Sequence, residues 1–203
     1  MYANRFELDQ CILDSLAYCA RHEDQPTCEN FAGLLEKADR DMKKVVANSD
    51  SAFITWKHRD RAERLAWKHV ARGFGETQEM LRKVNATGFV DQKVMYWDHT
   101  RLLPFIEEMI GYLQEEKESI DFAESQAEAL KRLRASAQSA RRESLAALKE
   151  YKRQAQMRSD AMTTLVNTVA SFRRALRRDL GRHHEEYQKI RWPYAVASDE
   201  AVL

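Results

Sequence analysis

Apolar residues recur along this chain at alternating spacings of three and four, the period of helices that bury one stripe and solvate the rest. Phe6, Ile12, Leu13 and Leu16 mark one side of a short amphipathic helix from Tyr2 to about Arg21. His22 to Thr27 then reads as a break. Pro26 disfavours helix at Gln25, and Thr27 predicts an N-cap. A second helix is expected from there to about Val84. It carries Phe31, Leu34, Leu35, Ala38, Met42, Val45, Val46, Phe53, Trp56, Leu65, Ala66, Val70, Phe74, Met80 and Leu81 on its apolar side. Gly73 and Gly75 are candidate kinks. Asn85 to Asp91, with Gly88, is the clearest turn.

A third segment starts between Asp91 and Asp98. Pro104 is expected within its first turn, behind a cap at Asp98 or Thr100. Ile106, Met109, Leu113, Ile120, Ala123, Ala127 and Leu130 follow a coiled-coil seam. The pattern slips between Leu133 and Ala140, where Ala and Ser replace large residues. It resumes through Leu148, Tyr151, Met162, Leu165, Val169, Phe172, Leu176, Leu180, Tyr187 and Ile190. A hairpin turning near Ala135 to Ser144 is the favoured reading. Asp121-x-x-Glu124 has the form of a capping box and sets a competing break near Ser119 to Asp121. The expected fold is all-α: an elongated antiparallel bundle of about three long helices over 28–192, a short N-terminal helix over 1–22 and a flexible tail over 193–203.

Composition agrees with long helices, since the 203 residues include only 6 Gly and 3 Pro and 32 % are charged. Charge changes the picture more. Up to Leu130 there are 17 Lys/Arg and 24 Asp/Glu, whereas Lys131 to Trp192 holds 16 and 6. A basic C-terminal third calls for an anionic partner, or for neutralisation by the acidic remainder. Cys11, Cys19 and Cys28 are spaced for neither a zinc site nor a disulfide framework, and read as buried thiols in a reducing compartment. Arg5, Glu7, Asp9 and Asp14 interrupt any signal-peptide core, and no apolar run approaches the ~20 residues of a membrane span. A cytoplasmic protein, with peripheral access to membranes, is the expectation.

Candidate chemistry is thin. The histidines are His22, His58, His69, His99, His183 and His184, and none stands in the Glu-x-x-His pattern of a di-iron bundle. There is no glycine-rich phosphate loop, no Cys-x-x-Cys and no nucleophile elbow. Adjacent acids such as Glu107-Glu108 and Glu115-Glu116 diverge around a helix. No enzyme activity, metal or cofactor is expected. The aromatics Trp56, Trp67, Tyr96 and Trp97 lie apart from the basic groups, which argues against a nucleic-acid stacking platform. Trp56, Leu65, Leu113 and Ile120 are candidate positions for the core or a homodimer interface, because seams this long exceed what one chain covers.

The basic candidates for contact with an anionic membrane or an acidic protein are Lys131, Arg132, Arg134, Arg141, Arg142, Lys149, Lys152 and Arg153, then Arg173, Arg174, Arg177 and Arg178. The favoured turn would gather the first eight into a compact positive tip. Phe172-Arg173-Arg174-Ala175-Leu176, Asp179-Leu180, His183-His184, Tyr187 and Trp192 together resemble the last helix of a BAR domain of the sorting-nexin type. Arg61, Ala66, Phe74 and Leu81 are similar to the end of the first BAR helix, and Leu102 to Ile106 with Tyr112-Leu113 to the start of the second. The resemblance implies a non-catalytic homodimer that binds and shapes anionic membranes. The alternative is a helical scaffold or assembly subunit whose basic C-terminal helix docks on an acidic protein partner.

Overall fold

A computed structural model describes residues 5–84, 86 and 99–193. The described residues are all-α: α1 (Arg5–Arg21), α2 (Pro26–Lys83), α3 (His99–Glu115), α4 (Ala123–Leu180) and α5 (Glu185–Lys189). α2 and α4 have 58 residues each, whereas α3 has 17. The bundle of about three long helices is thus two long helices and one short one, with α1 and α5 added. The turn expected at Asn85 to Asp91, the cap at Asp98, Tyr96 and Trp97, and the tail after Pro193 lie outside the described residues.

Two helix boundaries differ from the sequence reading. Glu29 N–H donates to Gln25 O at 3.0 Å, so Gln25 receives the first helical bond and Pro26 takes the first helical position, where its missing N–H costs nothing. Thr27 is therefore inside α2. Its hydroxyl donates to Asp179 at the end of α4 instead of capping. Pro104 lies in the second turn of α3, not the first.

The larger correction concerns the chain reversal. There is no turn at Ala135 to Ser144, because α4 runs unbroken from Ala123 to Leu180. The reversal occupies residues 116–122, at the competing position near Ser119 to Asp121. Backbone bonds shape it: Glu116 N–H to Tyr112 O, Ile120 N–H to Glu116 O and Ala123 N–H to Ile120 O. Asp121 makes no capping bond. Phe122 O receives the first α4 bond from Gln126 N–H, and the Ser125 hydroxyl donates to it at 2.9 Å. The Ala/Ser stretch is a tight seam and not a break. Ala137 is fully buried, and a Cβ on Gly73 of α2 would stand 2.6 Å from the Leu133 side chain.

The chain divides into two compact units, Met1–Ser51 with Lys152–Leu203, and Ala52–Tyr151. In the first, α1 contributes Leu8, Cys11, Ile12, Tyr18 and Cys19 to a core shared with Leu35, Ala38, Met42 and Val46 of α2 and Leu165, Val169, Phe172 and Leu176 of α4. Each fully buried large side chain contributes about 1.5–3 kcal/mol. Gly181, at φ 83°, ends α4 in a backbone conformation that a side chain would strain, and the chain returns through α5. Tyr187 and Ile190 then join the core, and Asp14 of α1 accepts from Arg191 N–H at 3.2 Å.

In the second unit, Trp67, Val70, Phe74 and Leu81 of α2 meet Leu102, Ile106, Met109 and Leu113 of α3 and Ala123, Ala127, Leu130 and Ala137 of α4. The small residues on α4 let the three helices approach. Beyond this core, residues 52–66 and 138–151 form a two-helix stretch whose only buried side chain is Ser144. There Trp56 stacks on Tyr151 with centroids 5.5 Å apart and planes at 4°. Phe53 packs on both rings, and Arg59 pairs with Glu143 at 2.7 Å.

Two outcomes follow from the first unit's core. Deleting residues 1–22 uncovers Leu35 and Phe172 and is expected to lower Tm by at least about 5 °C in a circular-dichroism melt; an unchanged Tm would show that α1 is dispensable. Burial also pushes the Cys11 and Cys19 thiols up to about 12, and the Cys28 thiol in the same direction. All three stay protonated at neutral pH. A thiol reagent should therefore titrate almost none of them in the native protein and all three in denaturant.

Candidate interface for anionic surfaces

A continuous α4 places none of the first eight basic candidates at the chain reversal. The first eight candidates lie along the first half of the helix, to just past its midpoint, and the reversal at 116–122 carries Glu116, Glu118 and Asp121 against Lys117. Glu108, Glu115, Glu116, Glu118, Asp121 and Glu124 surround it without an ion pair. The compact positive end expected from the sequence does not form there.

The twelve candidate cations separate by partner. In the unit of residues 52–151, Lys131 binds Glu128 at 2.7 Å and holds that carboxyl below the ordinary carboxylate range, with the Arg132 charge adding to the effect. Arg134 reaches Glu107 of α3 at 3.2 Å. Arg132, Arg141, Arg142 and Lys149 are exposed and make no ion pair or hydrogen bond. Leu145 stands among the last three, at 54 % exposure.

In the other unit, Arg173 is structural. Its Nε donates to the Tyr187 hydroxyl at 2.9 Å, and its guanidinium lies over the Trp192 ring at 5.6 Å. Trp192 in turn donates to Tyr187 O at 3.2 Å and packs against Phe172. The residues that carry the BAR resemblance thus include a core cluster around Phe172. Arg174 donates to the Ser171 hydroxyl, Arg178 lies 3.8 Å from Asp179, and Arg177 is half-buried and engaged. Arg153 donates to the Met157 sulfur, and Lys152 is exposed.

A second basic stretch escaped the sequence reading. Between residues 57 and 72, α2 carries Lys57, Arg59, Arg61, Arg64, Lys68 and Arg72 against Asp60 and Glu63. Summing charge over the first 130 residues hid it beneath the acids of α1, early α2 and the 107–128 region; a window of one or two helical turns finds it. Arg64 pairs with Asp60 and Arg72 with Glu76, whereas Arg61 and Lys68 have no ion pair. Lys57 sits over the Trp56 ring at 4.7 Å. Exposed Ile54 and Leu65 lie in the same stretch.

The core-or-interface candidates also divide. Leu113 is fully buried, Ile120 packs at the edge of the same core, Trp56 is half-buried in its stack, and Leu65 is 49 % exposed.

Of the histidines, His22 packs on Tyr18, His184 Nδ1 accepts from Glu186 N–H to cap α5, and His58, His69 and His183 are exposed. No group of three His, Cys, Asp or Glu among the described residues is placed to hold a metal ion. No described helix is long and apolar enough to cross a membrane. An open groove beside the start of α2 is lined by Asn30, Phe31 and Arg178, but its Thr27 and Asp179 are bonded to each other.

No protein-family model, curated protein or solved structure matches the chain.

The division into engaged and solvated cations has a measurable consequence. Reversing Arg141, Arg142 and Lys149 to Glu breaks no contact and should leave Tm within about 2 °C of the parent. Arg173→Glu forfeits a part-buried hydrogen bond and a ring contact and should cost about 2 kcal/mol or more. A melt in which the two behave alike would contradict the assignment.

Proposed function

We propose that this protein is a non-catalytic helical module, BAR-like in its use of long antiparallel helices, that docks on anionic membrane surfaces. The observation that carries the reading is the group Arg141, Arg142 and Lys149, exposed and without an ion pair beside exposed Leu145. A protein that needs these cations for its own fold would pair them, as it pairs Arg134 and Arg173. Near an anionic bilayer each Lys or Arg contributes about 1 kcal/mol, so several acting together hold a protein there. Leu145 adds the apolar contact that an interfacial helix makes at headgroup depth.

The attraction acts through a field that decays over about 8 Å at physiological salt. Cosedimentation with phosphatidylserine-rich vesicles should therefore show binding at low salt that falls steeply as salt rises, and none to phosphatidylcholine vesicles. Reversing Arg141, Arg142 and Lys149 together should weaken it several-fold while the protein stays folded. Absence of binding to anionic vesicles at low salt would sink the membrane reading. It would leave the scaffold alternative, in which the same cations meet an acidic protein.

A further inference from the structure

We infer that the unit of residues 52–151 binds anionic lipid on two opposite faces, one on each long helix, and so bridges two bilayers; the inference rests on the membrane reading and extends it. In this unit α2 and α4 meet through Trp56 and Tyr151, stacked at 5.5 Å, and through Arg59 and Glu143. Those residues fix which side of each helix faces the other. At about 100° per residue, positions two apart lie nearly opposite on a helix. Ile54 and Leu65 are each two residues before a tryptophan that faces inward, Trp56 and Trp67, so they point away from α4. Arg142 and Lys149 are each two residues before inward Ser144 and Tyr151, so they point away from α2. The two sets of side chains leave the helix pair in opposite directions.

The outer side of α2 is a built surface. Ile54, His58, Arg61, Leu65, Lys68 and Arg72 follow one another at spacings of four and three, which keeps them in line, and all six are exposed. Ile54 is 56 % exposed and Leu65 49 %. The carboxylates near this line are accounted for: Asp60 is held by Arg64, Glu76 by Arg72, and Glu63 is half-buried on the inward side. Arg61 and Lys68 flank Leu65 with no counter-charge. On the outer side of α4 stand Arg142 and Lys149, with Leu145, one residue after inward Ser144, on the flank between them at 54 % exposure. An apolar side chain between unpaired cations suits the boundary between headgroups and acyl chains, where both are satisfied together. Charge complementarity thus selects the same anionic occupant for both faces. Two such faces turned apart cannot lie on one flat bilayer.

The test is vesicle clustering measured beside binding on the same samples. The full chain should cosediment with phosphatidylserine-rich vesicles and also cluster them, read as a rise in hydrodynamic size by dynamic light scattering. Arg61→Glu with Lys68→Glu, checked for folding by circular dichroism, should still cosediment but lose clustering. Arg142→Glu with Lys149→Glu should do the same from the other face, and the four changes together should abolish both signals. Binding without clustering by the parent protein overturns the two-face inference and leaves the membrane reading in place. Clustering undiminished in Arg61→Glu/Lys68→Glu also overturns it, since the bridge would then run through another route, such as two copies presenting one face. So does lipid-free self-association that the same pair of changes dissolves, which would make the α2 face a contact between copies. No binding at all removes both readings together.

Discussion

A long amphipathic helix cannot leave its apolar stripe in water, and pairing with one other helix covers only part of that stripe. This constraint organises both units of the protein. Where α2 and α4 carry large apolar residues, a third element completes the cover. α1 closes over Leu35, Val46, Val169 and Phe172 in one unit, and α3 closes over Trp67, Phe74 and Leu130 in the other. Where no third described helix joins them, at residues 52–66 and 138–151, the inward positions change character. Ser144, a Trp–Tyr stack and an Arg–Glu pair replace the aliphatic residues, because a two-helix contact never dries fully and amphipathic side chains tolerate that.

The same division sorts the charges. A cation close to a third element finds a partner there, as Arg134 does on α3 and Arg173 does on the returning α5 segment. Along the two-helix stretch, among the described residues, Arg61, Arg141, Arg142 and Lys149 are exposed and make no ion pair. Acids without an ion pair, among them Glu115, Glu118 and Asp121, stand around the α3–α4 reversal instead. Segregation of this kind gains nothing for the fold, since exposed pairs contribute at most about 1 kcal/mol. The outward cations Arg141, Arg142 and Lys149 therefore contribute little to the stability of the fold.

Much of the fold was legible in the chain. Periodic apolar positions and scarce Gly and Pro gave α1 and α2 to within a few residues. The chain reversal was misplaced for a physical reason. Ala135 to Ser144 loses its large residues, which looks like the end of a pattern, yet a close helix contact uses small residues, as at fully buried Ala137 and at Gly73 beneath Leu133. The true reversal contains neither Gly nor Pro and is made by backbone bonds, which leave little mark on composition. The candidate site was half legible. Clusters of Lys and Arg stood out, but whether each is spent depends on distant partners. Arg173 is engaged only because Gly181 lets the chain turn back and bring Tyr187 and Trp192 to it. The α2 face was missed because its cations sit within a net acidic half.

The first unit is assembled from the two ends of the sequence, Met1–Ser51 and Lys152–Leu203, around a continuous stretch that makes the second. Synthesis from the N-terminus therefore delivers its halves at different times. At ~5–20 residues per second, α1 and the start of α2 leave the ribosome roughly 7–30 seconds before Phe172 and Tyr187 can reach them. Throughout that interval Leu35, Met42 and Val46 lack their α4 neighbours, whereas the intervening stretch gains all the residues of its own core before those neighbours are made. Contacts so far apart in sequence close slowly. In a cell, the nascent N-terminal helices would be the part of this chain that most needs a chaperone's cover.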